Sequence, residues 1–312
     1  MEKNMVSLIV ISYNHAAFID DRMQSILEQT YDNMEIFYMD DASGDESYEK
    51  AEKYEKLLKN KYHKVEFFHN KENQGVVKNL NTLISRCRGK YLVFASADDF
   101  MLPTGIKDMV TYLEEHVEAA MVYTNGIYGD ENTHYSKEES YEGFNRVYSK
   151  TPPYGDNLFP LLYEREFITS PAVMFRKKTC DDVGVFDENI EVEDWDYFIR
   201  IALYGYIGYL DKCTVMYRIL STSFSHSAAP HRRVVMKKNE LLLLEKYKNH
   251  LEDYGKARIK RSYNEAISDA CHISDADYMR FLHEYKKRNK VYITMRNKMK
   301  YLLYLLGYWN KK

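Results

Sequence analysis

The sequence predicts an α/β fold, with a mainly parallel central sheet covered by helices and a helical C-terminal extension. Three observations carry this expectation. Short, largely apolar runs of strand length recur through the first half, the form strands take when both faces are covered. Stretches with apolar residues at helical spacing separate them, and strand–helix–strand order implies right-handed crossovers and parallel pairing. The 312 residues are 45% hydrophobic and 29% charged, ordinary globular values in a chain long enough to bury a substantial core.

Taken in order, Val6 to Ile11 (VSLIVI) predicts the first strand, and Ile19, Met23, Ile26 and Leu27 share a face of the helix that follows. Met34 to Met39 (MEIFYM) and Val65 to His69 (VEFFH) predict the second and third strands. Val76, Leu80, Leu83, Ile84 and Cys87 then form another helix face, ahead of Tyr91 to Ala95 (YLVFA) and Ala119 to Tyr123 (AAMVY) as the next strands. The polar, Tyr-rich stretch Gly129 to Tyr154 reads as a mobile loop able to fold over substrates. Ile168 to Phe175 (ITSPAVMF) reads as a further strand. One α/β domain over residues 1–222 and a helical extension over 223–312 are expected.

Composition excludes several classes. Cys87, Cys180, Cys213 and Cys271 are far apart, which argues against a disulfide framework or a zinc cluster and fits a reducing cytoplasm. The apolar run Val6 to Ile11 is followed by Asn14, His15 and Asp20-Asp21 rather than a small-residue cleavage site, so no signal peptide is expected. Nothing approaches the roughly 20 apolar residues of a spanning helix. No GxGxxG or GxxxxGK[ST] string supports a dinucleotide or P-loop site, and no nucleic-acid partner is expected. The net charge of −3 hides an asymmetry: Lys286 to Lys312 holds nine Lys or Arg and no acid, leaving 35 basic against 47 acidic groups, or −12, in the rest.

Two acidic pairs stand at strand ends, Asp40-Asp41 after the second strand and Asp98-Asp99 after the fourth. Ligands of parallel sheets gather at the carboxyl ends of strands, so both pairs should line one crevice. A turn or helix N-cap would account for Ser43 or Asp45. Four carboxylates near one edge repel each other unless a cation or a donor-rich ligand joins them, and hard cations such as Mg²⁺ or Mn²⁺ take oxygen ligands and substrate phosphates. A metal–diphosphate site is the economical expectation.

The strings VSLIVISYN (Val6 to Asn14), YMDDASGD (Tyr38 to Asp45), NQG followed by Asn81, GKYLVFASADDFMLP (Gly89 to Pro103) and GVFDENIEVEDWDYFIRIALYG (Gly184 to Gly205) resemble, in order and spacing, family 2 inverting glycosyltransferases of the Rossmann-like A-type fold. The resemblance covers about residues 5–220. It implies a sugar transfer from a nucleoside-diphosphate sugar, UDP-linked, to a glycan or lipid-linked acceptor in surface polysaccharide synthesis, with Mn²⁺ or Mg²⁺ as cofactor. By resemblance, Tyr13, between Ser12 and Asn14 in the donor loop, stacks on the base, with a core tyrosine as the plain alternative. Asp41 accepts the imide N–H of uracil. Asp98 and Asp99 match the metal and ribose end of the DxD motif, and Ser96 stands where many members carry its first aspartate.

Inverting displacement needs a base for the attacking hydroxyl. Asp194 in VEDWDYFIRI matches the family's acidic motif at a helix start, and a simple N-cap is the alternative. Neighbouring Glu191, Glu193 and Asp196 would raise its proton affinity. Asp196 is expected to face Arg200 one helical turn on. Lys78 and Arg218 are candidates to steady the leaving diphosphate, and His226 a candidate extra metal ligand or phosphate contact.

Two other classes remain open: a non-catalytic subunit that keeps the nucleotide-sugar pocket, and a nucleotidyltransferase, which usually carries a Gly-rich loop where this chain has SYNHAAF. In the tail, Tyr292, Met295, Met299, Leu302, Leu303, Leu306 and Trp309 recur at helical spacing beside Arg296, Lys298, Lys300, Lys311 and Lys312. Such a helix suits either a membrane interface, placing a cytoplasmic enzyme at the inner face of the bilayer, or packing on the catalytic domain or a second subunit.

Overall fold

The computed structural model describes residues 4–138, 141, 143–221, 230–273 and 275–305. Its first strand, β1 (Val6–Ser12), is buried along its whole length, as an unbroken apolar run between two neighbours requires. Helix α1 (Ile19–Leu27) buries Ile19, Met23 and Ile26, the stripe its spacing predicts. There follow β2 (Met34–Asp40), α2 (Ser47–Lys61), β3 (Lys64–His69), α3 (Val76–Ile84), β4 (Tyr91–Ser96), β5 (Phe100–Met101), α4 (Gly105–Glu115) and β6 (Ala119–Gly129). The chain continues through α5 (Phe159–Glu164), β7 (Val173–Arg176), α6 (Lys177–Val183), α7 (Glu193–Tyr204) and β8 (Tyr206–Arg218). Helices α8 (Pro230–Tyr247), α9 (Glu252–Ile273), α10 (Ala276–Asn289) and α11 (Met295–Leu305) complete it.

The eight strands form one sheet in the order β3-β2-β1-β4-β7-β6-β8-β5. Strands β1 to β4 pair in parallel, and β6 pairs in parallel with β8. Strand β7 is antiparallel to both β4 and β6, and β5 is antiparallel to β8. The fold is therefore the α/β arrangement expected, with a mostly parallel sheet and helices in the C-terminal region. Register levels the strand ends that matter: Ser12 lies opposite Asp40, and Ile11 opposite Ser96. The loops after β1, β2 and β4 consequently leave one edge side by side.

Two details differ from the sequence reading. The strand expected over Ile168 to Phe175 is only β7, because Pro171, which has no N–H to give a ladder, starts a 3₁₀ turn at Ser170–Ala172. Within the Tyr-rich stretch read as mobile, residues 146–148 are held in place: Val147 N–H donates to the Gly126 carbonyl, Arg146 bridges to Ile127, and the Tyr148 hydroxyl donates to the Phe167 carbonyl.

The chain divides into two compact units. The first takes in Met1–Leu162, Glu166–Glu188 and Tyr197–Leu220; the second takes in Tyr163–Arg165, Asn189–Asp196 and Ser221–Lys312. Two short segments upstream of residue 222 thus belong with the helical unit, and their contacts explain why. The Tyr163 hydroxyl donates to the Leu244 carbonyl, Arg258 bridges Glu164 and Glu240, and the backbone N–H of Glu191 donates to Asn239. Buried Leu241, Leu244, Tyr263, Ala266, Ile267 and Tyr285 form the interior of this unit. Among the described residues no helix is long and apolar enough to cross a membrane.

Candidate functional site

The loops after β1 and β2 are laced together by side chains chosen for that work. Asn14, in the left-handed region at φ 57°, accepts from Gly44 N–H through Oδ1 and donates its own N–H to Ser43 Oγ. Ser47 Oγ accepts from His15 N–H, and Asp45 from Ala16 N–H. On this frame Tyr13 stands 47% exposed, a ring presented to solvent rather than a core tyrosine. Ser12 is the reverse: its side chain is wholly buried and its carbonyl takes the Asp41 N–H, so a direct ligand contact by its hydroxyl is ruled out. Asn14, placed in the donor loop by resemblance, fixes the shape of that loop.

The pair Asp40-Asp41 needs no cation. Asp40 is buried and accepts both the N–H and the hydroxyl of Ser43. Asp41 is buried too, accepting from Gln74 N–H at 2.8 Å, Asn70 Nδ2 at 2.7 Å and Gly75 N–H at 2.8 Å. Burial alone would raise its pKa, yet these donors hold it below the ordinary carboxylate value. These three bonds order the Asn70–Gly75 loop around the residue expected to accept from uracil. That loop walls a cavity of about 430 Å³ lined by Met39, Asn70, Gln74, Lys78, Asn79 and Glu188, among others. Lys78 is exposed at its rim, and Asn79 Nδ2 is buried without a partner. An amide-lined cavity with a cation at its rim is suited to reading a base and meeting a phosphate.

At the end of β4 the two carboxylates separate into different roles. Asp98 is partly exposed, and Ser96 Oγ donates to its Oδ1, so the serine that replaces an aspartate orients the remaining one. Asp99 is 2% exposed and accepts the Arg218 backbone N–H at 2.9 Å. Burial, and next the charge of Asp98, push its pKa well above the usual range, against the pull of Arg22 and Arg218. The Arg218 side chain is buried as well: it pairs with Asp21, donates to the carbonyls of Thr133 and Asp98, and lies 4.7 Å over the Phe18 ring. It is a clamp sealed from solvent, not the leaving-group cation expected. Through Asp21 the clamp also holds His134, whose Nδ1 lies 3.0 Å from Oδ2 of that carboxylate, and the Tyr135 N–H.

Arg22 escaped the sequence reading altogether. Wholly buried, it donates through Nη2 to the Ser96 carbonyl at 2.6 Å, while Nε and Nη1 have no partner. Burial lowers its pKa to about 10, opposed by the charges of Asp99 and Asp98. One sign was available, since an arginine three residues after Ile19 falls on the apolar face of α1. Among the described residues no group of three His, Cys, Asp or Glu converges. The donor set still suits Mg²⁺ or Mn²⁺, which are held by one or two carboxylates together with substrate phosphates. Burial first and the charge of adjacent Asp98 second lift Asp99, and a divalent cation at Asp98 would offset the second of these.

In the other unit, Asp194 lies in the first turn of α7 and accepts the Trp195 N–H through its own Oδ1. It is neighbouring Glu193, by burial first and the charge of Asp194 second, whose pKa rises to about 8. Asp196 is buried and pairs with Lys246 at 2.9 Å while accepting the Tyr247 hydroxyl at 2.8 Å. Arg200 donates to the carbonyls of Val183 and Val185 and stacks on Tyr197. Its bonds to Lys246 and Tyr247 give Asp196 a structural task. His226 lies outside the described residues.

A family model described as glycosyl transferase family 2 matches residues 7–184. An uncharacterized glycosyltransferase of Haemophilus influenzae is 37% identical over 121 residues, covering 38% of this chain and 36% of the relative. Another from Methanocaldococcus jannaschii is 23% identical over 221 residues, or 70% of this chain and 72% of that one. The chain spans about a third of the length of several such relatives. Among solved structures, Staphylococcus aureus TarS 1–349 in complex with UDP-GlcNAc superposes with a TM-score of 0.65 at 18% identity, covering 91% of this chain and 80% of that one. The mannosyltransferase PcManGT from Pyrobaculum calidifontis, in complex with GDP-Man and Mn²⁺, gives 0.57 at 15% identity, with 98% and 88% covered.

Proposed function

The chain belongs to glycosyl transferase family 2, and on that premise we propose that it transfers a hexose from a UDP-linked sugar, with inversion, to a hydroxyl of a glycan or lipid-linked acceptor in surface polysaccharide synthesis. The observation that carries the donor half is the sheet edge, where exposed Tyr13, the amide-lined cavity and the carboxylate of Asp98 follow strands in register. The base would stack on Tyr13 and meet the amides of Asn70, Gln74 and Asn79, with Asp41 keeping that wall in place. Lys78 would take a phosphate oxygen at the rim. The UDP-GlcNAc of TarS and the GDP-Man of PcManGT support a nucleoside-diphosphate sugar as the ligand class.

Asp98 is the residue to hold a divalent cation, with Asp99 behind it. When bound, Mn²⁺ or Mg²⁺ would supply Lewis-acid stabilisation of the departing diphosphate. Asp194 would accept the acceptor hydroxyl's proton as that oxygen attacks the anomeric carbon from the face opposite the leaving group, which inverts configuration. Division into a catalytic domain over residues 1–222 and a helical extension over 223–312 belongs to the same proposal, with Asn189–Asp196 joined to the helical unit.

A panel of UDP- and GDP-sugars incubated with Mn²⁺, read as release of nucleoside diphosphate, tests this reading. Release from one UDP-sugar, abolished by chelator, is expected. Tight binding of a donor with no turnover on any acceptor would instead favour a non-catalytic binding subunit, and diphosphate release from UTP and a sugar phosphate a nucleotidyltransferase.

A further inference from the structure

Helix α11 presents an apolar stripe to solvent. Met295 is 75% exposed, Met299 62% and Leu302 55%, and Tyr292 just ahead of the helix is 77% exposed. At 3.6 residues per turn, Met295, Met299 and Leu302 fall within an arc of about 60°, with Lys298 about 40° to one side and Arg296 about 60° to the other. Both cations are exposed. The opposite face is the attached one: Asn297 is buried, its Nδ2 donating to the Asn264 carbonyl at 2.6 Å, and Lys300 donates to Ser268 Oγ at 2.6 Å, both on α9. The helix is thus tied to α9 through Asn297 and Lys300, while Met295, Met299 and Leu302 face outward. In a water-soluble helix that orientation is inverted, and it calls for something outside the unit to cover the stripe.

We propose that this face binds the surface of an anionic lipid bilayer, with α11 lying in the plane of the interface. Three observations fit that occupant. The apolar stripe is narrow and flanked by cations on both sides, so the methionines and leucine can enter the acyl boundary while Arg296 and Lys298 reach headgroup phosphates. The surrounding segment is one-signed: Lys286 to Lys312 carries nine Lys or Arg and no acid, in a chain otherwise at −12. A second copy of the chain is the poorer partner, because a two-fold contact through this stripe would bring together two segments of the same positive sign. The inference is independent of the chemistry proposed for the donor site.

Co-sedimentation of the full chain with phosphatidylcholine vesicles, with and without phosphatidylglycerol, tests it. Pelleting is expected with the anionic vesicles only, and it should weaken as salt is raised. Replacing the stripe by Met295→Ser, Met299→Ser and Leu302→Ser should reduce partitioning at least roughly tenfold. Arg296→Glu with Lys298→Glu should reduce it on the order of twentyfold or more, from about fivefold for each cation neutralised. All five positions are exposed, so both variants should keep the wild-type melting curve. Failure of the full chain to pellet on anionic vesicles, or equal pelleting of wild type and the triple serine variant, overturns the proposal. So does a concentration-dependent dimer, dissolved by the same substitutions, in a chain that ignores vesicles.

Discussion

Arg218 donates its backbone N–H to Oδ1 of Asp99 across 2.9 Å, binding the last residue of β8 to the loop that leaves β4. The contact divides two adjacent aspartates: Asp99 faces inward to a buried clamp, and Asp98 keeps the partly open side. Asp98→Ala should therefore abolish the Mn²⁺-dependent part of donor binding and leave the unfolding midpoint near wild type. Asp99→Ala leaves a buried N–H unsatisfied and should cost about 1–3 kcal/mol of stability. Calorimetric donor titrations with and without chelator, beside urea unfolding, would show it; loss of metal dependence only in the Asp99 variant would reverse the two roles.

The clamp itself makes a second contrast. Arg218 pairs with Asp21 in the interior, and removing one partner of a buried pair typically costs about 3–5 kcal/mol. Arg218→Met should consequently unfold at much lower urea. Lys78→Met, at the exposed cavity rim, should move stability by less than about 0.5 kcal/mol while weakening binding of the nucleoside diphosphate. Equal stability of the two variants would show that the clamp contributes little.

Tyr13 is exposed on a loop whose shape is held by Asn14, Ser43 and Ser47, so Tyr13→Ala should barely change the melting temperature. Stacking on a base is worth about 1–3 kcal/mol, which corresponds to donor affinity weaker by roughly ten- to a hundredfold. Tyr13→Phe should restore it. If the phenylalanine variant bound as poorly as the alanine one, the hydroxyl rather than the ring would be the contact.

For the base, Asp194→Asn keeps an oxygen able to accept the Trp195 N–H. It should lower turnover by about a hundredfold or more with donor binding retained. Normal turnover with a cognate acceptor would reduce Asp194 to a helix-start residue.

The parallel strands were readable because each is an unbroken apolar run, and residues such as Ile9 and Val93 are buried as that pattern demands. Antiparallel β7 was misjudged because Pro171 interrupts an otherwise apolar string, and its pairing with β4 and β6 is a tertiary fact. At the site, the sequence located the acidic pairs but not their surroundings. Asp41 and Asp196 resemble ligand groups in a string, and only folding brings Gln74 and Gly75 to one and Lys246 and Tyr247 to the other. Arg22 carried no signal in the string, and Arg218 suggested a leaving-group cation, because the partners that make their burial tolerable, Ser96 and Asp21, are distant in sequence.

Glu193 gives the site a pH signature in stability. Its carboxyl, ordinarily at 4.5, is raised to about 8 by burial and then by the charge of Asp194. Between those values the folded chain keeps a proton that the unfolded chain has released, so the folded state binds more protons and stability falls as pH rises. The contribution is whole below about 4.5 and gone above about 8. Asp99, raised in the same direction, adds a slope of the same sign, so the wild-type profile alone would not isolate Glu193. Glu193→Gln should do so: it removes the titrating group, keeps the size, and should make the variant gain on wild type steadily through that window. Urea midpoints of both proteins at matched pH values provide the measurement. Parallel profiles across the window would mean that Glu193 ionises as an ordinary surface carboxylate and that the first turn of α7 is open to water.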